Sequence, residues 1–176
     1  MEHVCFLILG TSLFWLLFRT PLFAEIEVFF YRGIALLGIT GIVMLLGLVI
    51  YKKRCLPGRF TNKDVILSLV LMISSNLVFF THLPVTAERS ISVFLLGYLN
   101  EHSQTILTEQ KITQAFTDKY LYEDKAVEKR LREQVVSGTV MVNGGGYKIS
   151  ERGRALMKVY ALMADVFRID KKLIFP

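Results

Sequence analysis

The chain has 176 residues, 53% of them apolar, with a formal net charge of +6. Its apolar residues concentrate in three runs within the first 81 positions, which argues against one evenly mixed core. Seven basic and four acidic residues occur up to Thr81, fourteen and eleven after it, and neither half has the basic excess of a nucleic-acid binder.

The first run, Val4 to Phe18 (VCFLILGTSLFWLLF), spans roughly 22 Å as a helix, short of a hydrocarbon core of about 30 Å. A cleaved signal peptide needs a positive start, and Met-Glu-His has none, so a retained membrane helix is expected. Pro21 to Tyr31 sets Phe23, Phe29, Phe30 and Tyr31 around Glu25 and Glu27, a mixture suited to a membrane interface. The second run, Gly33 to Tyr51, is the strongest candidate for a full span. Gly33, Thr40 and Gly47 recur every seven residues, a small-residue stripe that allows close helix approach.

Lys52, Lys53, Arg54, Arg59 and Lys63 form the densest short basic loop, which the positive-inside rule places in the cytoplasm. Asn62 or Asp64 is positioned to cap the third run, Val65 to Phe80. There Ser68 and Ser75 share a face, and Asn76 is expected to turn its amide towards another helix. Three spans in this orientation describe a multi-pass protein of the cell (inner) membrane, with its C-terminal half on the non-cytoplasmic side. Thr81 to Ser90 then forms a membrane-exit hinge. Leu83, before Pro84, is expected to be extended, with Thr86 as the following N-cap. His82, Thr86 and Arg89 are candidates for binding a lipid phosphate or an acidic partner group, although a capped, solvated hinge accounts for them too.

Beyond the hinge, Ile91 to Leu99 is apolar but too short to cross a bilayer, and Val93, Leu96 and Asn100 mark one side of it. A short strand is expected at Thr105 to Leu107. Thr108 caps a helix whose inward face is Ile112, Ala115 and Phe116. Asp124 is expected to cap the next helix, with Val127, Leu131 and Val135 inward, and Gly138 to close it in the left-handed conformation. Thr139 to Val142 and Tyr147 to Ile149 pair across Asn143-Gly144-Gly145-Gly146, and Ser150 opens a last helix reaching about Ile169.

That order of helix, helix, hairpin and helix, carried by Leu107 to Arg154 (LTEQKITQAFTDKYLYEDKAVEKRLREQVVSGTVMVNGGGYKISERGR), resembles a winged-helix domain. The resemblance extends over roughly Ser90 to Ile169. The expected fold class is therefore mainly α, a three-helix transmembrane module followed by a small α+β winged-helix domain. Its divisions are a membrane module at 1–81 (spans at about 4–18, 33–51 and 65–81), a hinge at 82–90 and the winged-helix-like domain at 91–176.

Winged helices bind DNA or protein, so the resemblance leaves that choice open. Lys125, Lys129 and Arg132 are the candidate DNA contacts, but Glu128 and Glu133 interrupt them and the hairpin tip carries no charge. The connection Thr117 to Glu123 also exceeds the three-to-four-residue turn of a helix-turn-helix. In the last helix Leu156, Val159, Tyr160, Met163, Val166 and Phe167 form one apolar stripe, with Leu162, Ile169 and Ala155 elsewhere on the wheel. That surplus points to an interface through Leu162, Ile169 and Phe167, with a membrane-protein partner, a second copy or the membrane lipid. The tail Lys171 to Pro176, basic then apolar, suits a bilayer surface.

His3, His82 and His102 are scattered, Cys5 and Cys55 lie far apart without metal spacing, and no nucleotide-binding or nucleophile motif occurs. No cofactor is expected, nor an enzyme acting alone. The expected role is an accessory, interaction subunit of a membrane assembly. A membrane-tethered transcription regulator and a subunit contributing to a lipid-phosphate site are the alternatives.

Overall fold

The computed structural model describes residues 2–54, 59–170 and 172. These are mainly helical, with one two-stranded sheet. The chain divides into two compact units, Met1–Val93 and Phe94–Pro176. Cys55 and most of the Lys171–Pro176 tail, both considered from the sequence, lie outside the described residues.

In the first unit, α1 (Glu2–Phe18), α2 (Phe29–Arg54) and α3 (Asn62–His82) pack on one another pairwise. Among the described residues, two helices are long and apolar enough to cross a membrane, α2 and the stretch Asn62–Arg89, whereas α1 is a shorter apolar helix. The buried face of α2 is Gly33, Leu36, Leu37, Thr40, Gly41, Met44 and Leu48, and that of α3 is Val65, Ser68, Met72, Asn76 and Phe80. Steps of three and four residues keep each set on one side of its helix. The expected Gly33–Thr40–Gly47 stripe needs correction at its last member. Gly47 is exposed with open space beside it, because contact passes there to Leu48, which packs with Phe60 and Val65. Ser75 is likewise exposed while Ser68 is buried.

Gly33 permits the closest approach in this unit: a Cβ there would lie 2.0 Å from the ring of Phe80. Asn76 does turn to another helix, its Nδ2 donating to Thr11 Oγ1 at 3.0 Å and to the Met72 carbonyl at 2.8 Å. The outward faces stay apolar and exposed, at Ile42, Leu46 and Ile50 on α2 and Ile66, Val70 and Val78 on α3.

The caps of α3 and the hinge differ from expectation. Thr61, not Asn62 or Asp64, is the N-cap, and Asp64 is the returning arm of a capping box, accepting from Thr61 N at 2.7 Å. Leu83 is not extended. Its N–H bonds to Phe79 and its carbonyl accepts from Ala87, so a short helix α4 (Pro84–Arg89) follows almost directly. Proline is tolerated there because the first helical turn needs no N–H partner. Thr86 lies inside α4 and caps nothing, its hydroxyl donating to the Thr81 carbonyl at 3.2 Å. Ser90 instead accepts from Val93 N ahead of α5 (Ile91–Glu101).

In the second unit an aromatic group stands at the centre of the helical part. Phe94 meets Phe116 at 5.8 Å and Tyr120 at 5.2 Å between ring centroids, and Tyr98 lies 4.4 Å from the His102 ring. Thus Phe94 and Tyr98 face inward, while Val93 and Leu96 are exposed. No strand forms at Thr105–Leu107, where Ile106 stands almost fully exposed. Thr108 caps α6 (Glu109–Ala115) as expected.

Phe116–Glu123 continues α6 as a π-helix, where the sequence pattern suggested a loop. Its wider turns stack Phe116 on Tyr120 at 5.0 Å, both facing Phe94. Only Asp124 and Lys125 then separate it from α7 (Ala126–Val136). Asp124 does not cap α7. Lys125 holds that position in the left-handed region, at φ 50°, with no side-chain cap. Val127 is exposed, while Glu133 is buried and paired to Arg130 at 2.7 Å.

The end of α7, the hairpin and α8 (Glu151–Phe167) meet in a compact polar junction. Gly138 has φ 73°, and the turn it allows brings Thr139 onto the Gln134 carbonyl at 3.0 Å. Strands β1 (Val140–Asn143) and β2 (Gly146–Ile149) pair antiparallel from Val140↔Ile149 to Asn143↔Gly146. Gly144 and Gly145 form the two-residue tip, both at positive φ as a tight hairpin requires. Ser150 Oγ donates to the Gly138 carbonyl at 2.7 Å and accepts from Gly153 N at 3.0 Å, joining the hairpin to the start of α8. Gly153 itself lies against the residue preceding β1: a Cβ there would be 2.2 Å from the Thr139 carbonyl oxygen.

Candidate functional site

His82, Thr86 and Arg89 lie on the end of α3 and on α4, and each meets a different neighbour close by in sequence. His82 Nδ1 faces the Val78 carbonyl at 2.9 Å, Thr86 bonds to Thr81, and Arg89 Nε approaches Glu88 at 3.4 Å. The carbonyls one helical turn back are near neighbours, so local partners meet these groups first.

On α7 and the residue before it, Lys125, Lys129 and Arg132 are exposed, as the sequence suggested. Arg132 is paired with Glu128 at 2.8 Å, an i,i+4 contact that occupies part of its guanidinium. The two-residue break before α7 removes turn length as an objection to a helix-turn-helix geometry. Charge remains the objection, since the tip Asn143–Gly146 carries none.

The last helix departs furthest from expectation. Its buried positions are Gly153 and Ala164, whereas the stripe Leu156, Val159, Tyr160, Met163, Val166 and Phe167 is exposed. Leu162, Phe167 and Ile169, the candidate interface residues, are exposed at 57%, 69% and 44%. Small residues admit the neighbouring backbone closely, so the contact line follows Gly153 and Ala164 and leaves the large side chains outside. At about 100° per residue, those side chains spread over roughly half of the helix circumference.

A further feature lies in the first unit, at the end remote from the basic loop. Phe14 and Phe18 of α1, Phe29 of α2 and Phe80 of α3 form a ring cluster with centroid separations from 5.2 to 5.9 Å. Trp15 and Phe79, 5.8 Å apart, continue it outward. Between them is an almost wholly apolar cavity of about 300 Å³, reached also by Pro84 and Arg19. Arg32 braces the adjoining turn, donating to the Thr20 carbonyl at 2.9 Å and the Leu22 carbonyl at 3.3 Å, with its guanidinium over Phe18.

Sequence periodicity could not assemble this cavity, because its residues come from four helices. Nor could it pair His3 with Ser68, whose Nδ1 and Oγ are 2.7 Å apart across 65 residues. Among the described residues, no three His, Cys, Asp or Glu side chains gather as a metal site. In comparisons with family models, curated proteins and solved structures, nothing matches this chain.

Proposed function

We propose that this chain is a small non-catalytic membrane protein whose C-terminal, winged-helix-like unit serves as an accessory subunit of a membrane assembly. Support for membrane insertion comes from the length of α2 and of the Asn62–Arg89 stretch, and from their exposed outward faces. A helix in a soluble core would bury such a face. The basic loop then favours a non-cytoplasmic second unit. The observation that carries the interaction reading is the uncovered apolar arc of α8. Burial of each large apolar side chain contributes roughly 1.5–3 kcal/mol, which a partner surface would recover.

The test uses the full chain extracted from its native membranes in mild detergent. It is expected to run as a complex above its own mass, and Leu162→Gln with Phe167→Gln and Ile169→Gln is expected to release a monomer with unchanged helical content. A monomer from the unaltered chain defeats the reading.

The second reading is a membrane-tethered transcription regulator, favoured by the short break before α7 and its exposed Lys125 and Lys129. Sidedness separates the two. Alkaline phosphatase fused after Pro176 is expected to be active in bacterial cells; an inactive fusion, with a cytoplasm-dependent fluorescent protein bright at the same place, favours the regulator.

A further inference from the structure

The aromatic cavity has an apolar interior and one cation at its edge. Arg19 makes no side-chain hydrogen bond or ion pair with the described residues, whereas neighbouring Arg32 is spent on backbone carbonyls and Phe18. The connector carboxylates Glu25 and Glu27 do not line the cavity.

Position along the helices adds a second constraint. The lining residues stand at the last turns of α1 and α3 and the first residue of α2, with Pro84 opening α4. If α2 and α3 cross a bilayer, as proposed above, the cavity sits where hydrocarbon gives way to headgroups. Trp15, half-exposed on its outer side, is a ring type favoured at that depth. A volume of about 300 Å³ is at the small end of ligand sites, which run from roughly 300 to 1,000 Å³. It suits a segment of a chain rather than a whole bulky ligand.

We infer that this cavity holds part of one acyl chain of an anionic phospholipid, whose phosphate pairs with Arg19. Apolar burial among Phe14, Phe18, Phe79 and Phe80 supplies affinity; the unpaired guanidinium forms forked hydrogen bonds to phosphate oxygens and favours a headgroup whose phosphate charge is not already offset by a choline cation. The inference depends on the membrane reading and is independent of the α8 interface.

Trp15 is the only tryptophan in the chain and lines the cavity, so it reports occupancy directly. The full chain is reconstituted in phosphatidylcholine bilayers containing a small fraction of dibrominated phosphatidylglycerol or, separately, dibrominated phosphatidylcholine. Bromine quenches tryptophan at contact. The brominated anionic lipid is expected to bind beside Trp15 about fivefold more strongly than the zwitterionic one, the factor that one basic residue contributes near an anionic surface. Arg19→Gln is expected to bring the two level, and Arg19→Lys to keep part of the difference. Equal quenching of the unaltered chain by both lipids overturns the site, and so does a preference that survives Arg19→Gln. A folded chain whose Trp15 neither lipid quenches also overturns it, because protein then covers the cavity. Alkaline carbonate extraction of native membranes is the separate control. Release of the chain defeats the membrane reading itself, whereas retention with level quenching defeats only the lipid site.

Discussion

The two units hold themselves together in different ways. In the first, interior contact is made by side chains: Phe14, Leu36, Leu48, Met72 and Phe80 are essentially inaccessible, and the polar Thr40, Ser68 and Asn76 sit among them with hydrogen-bond partners. In the second, the buried apolar residues among those described are only Ala115 and Ala164, and much of the cohesion is polar, through Gly138, Thr139, Ser150 and Gly153. Beyond the half-buried group of Phe94, Phe116 and Tyr120, this unit leaves many of its large apolar side chains outside, and so relies on backbone geometry for local order and on a covering surface for the rest. The first unit also exposes apolar faces, but on helices of membrane-spanning length, where lipid is the natural cover.

The sharpest way to break the contrast is Gly153→Ala. The added methyl meets the Thr139 carbonyl oxygen, which cannot retreat without opening the hairpin junction. A loss of about 3 kcal/mol or more is expected, at the upper end of overpacking costs, confined to the second unit. Limited proteolysis should cleave beyond Phe94 while α1 to α3 stay protected. Uniform loss of protection would show that the units do not fold separately.

Gly33→Ala probes the first unit. Its methyl meets the outer edge of the buried Phe80 ring, a side chain rather than backbone but one held by Phe14, Phe18 and Phe29, so a cost of about 1–3 kcal/mol is expected in detergent-micelle unfolding. Gly47→Ala is the control. With nothing beside it, it should be neutral or slightly stabilising, since alanine is the better helix former. Equal costs at both positions would restore the seven-residue stripe that the structure denies.

The smallest stability effect is expected on and just beyond α8. Leu162→Gln, Phe167→Gln and Ile169→Gln should each change the unfolding free energy of the extracted chain by no more than about 0.5 kcal/mol, as for other surface changes. Thermal unfolding of the dissociated chain checks this. A large loss would place those side chains in a core of their own.

Much of the local structure was readable because its causes are local. Thr108 and Ser150 cap helices by reaching N–H groups three residues away, Gly138 supplies a left-handed turn, and Gly144-Gly145 makes the hairpin tip. Apolar content likewise marked α2 and α3 before any fold was known. Where two local readings competed, the sequence misled. Thr61 rather than Asn62 became the cap because Asp64 could return a bond to its N–H. Leu83-Pro84 continued into a helix because the Leu83 carbonyl found Ala87. Thr117–Glu123 became π-helical where Phe116 and Tyr120 could both face Phe94.

By itself, then, the sequence determined the long helices, the hairpin and the caps at Thr108 and Ser150, and which segments are apolar enough for a bilayer, but not α4, the π-helix or the absence of a strand at Thr105–Leu107. Those properties depend on neighbours within a few residues and on summed transfer energy. Only the tertiary structure decided which face of each helix is covered. Leu48 displaced Gly47, Phe94 displaced Val93, and Gly153 with Ala164 displaced the whole Leu156–Phe167 stripe. A helix offers several faces of similar hydrophobicity, and the neighbour's shape selects among them, so small residues win wherever backbone must come close. The aromatic cavity with Arg19 at its edge has the same origin, since four helix ends had to converge before its residues became neighbours.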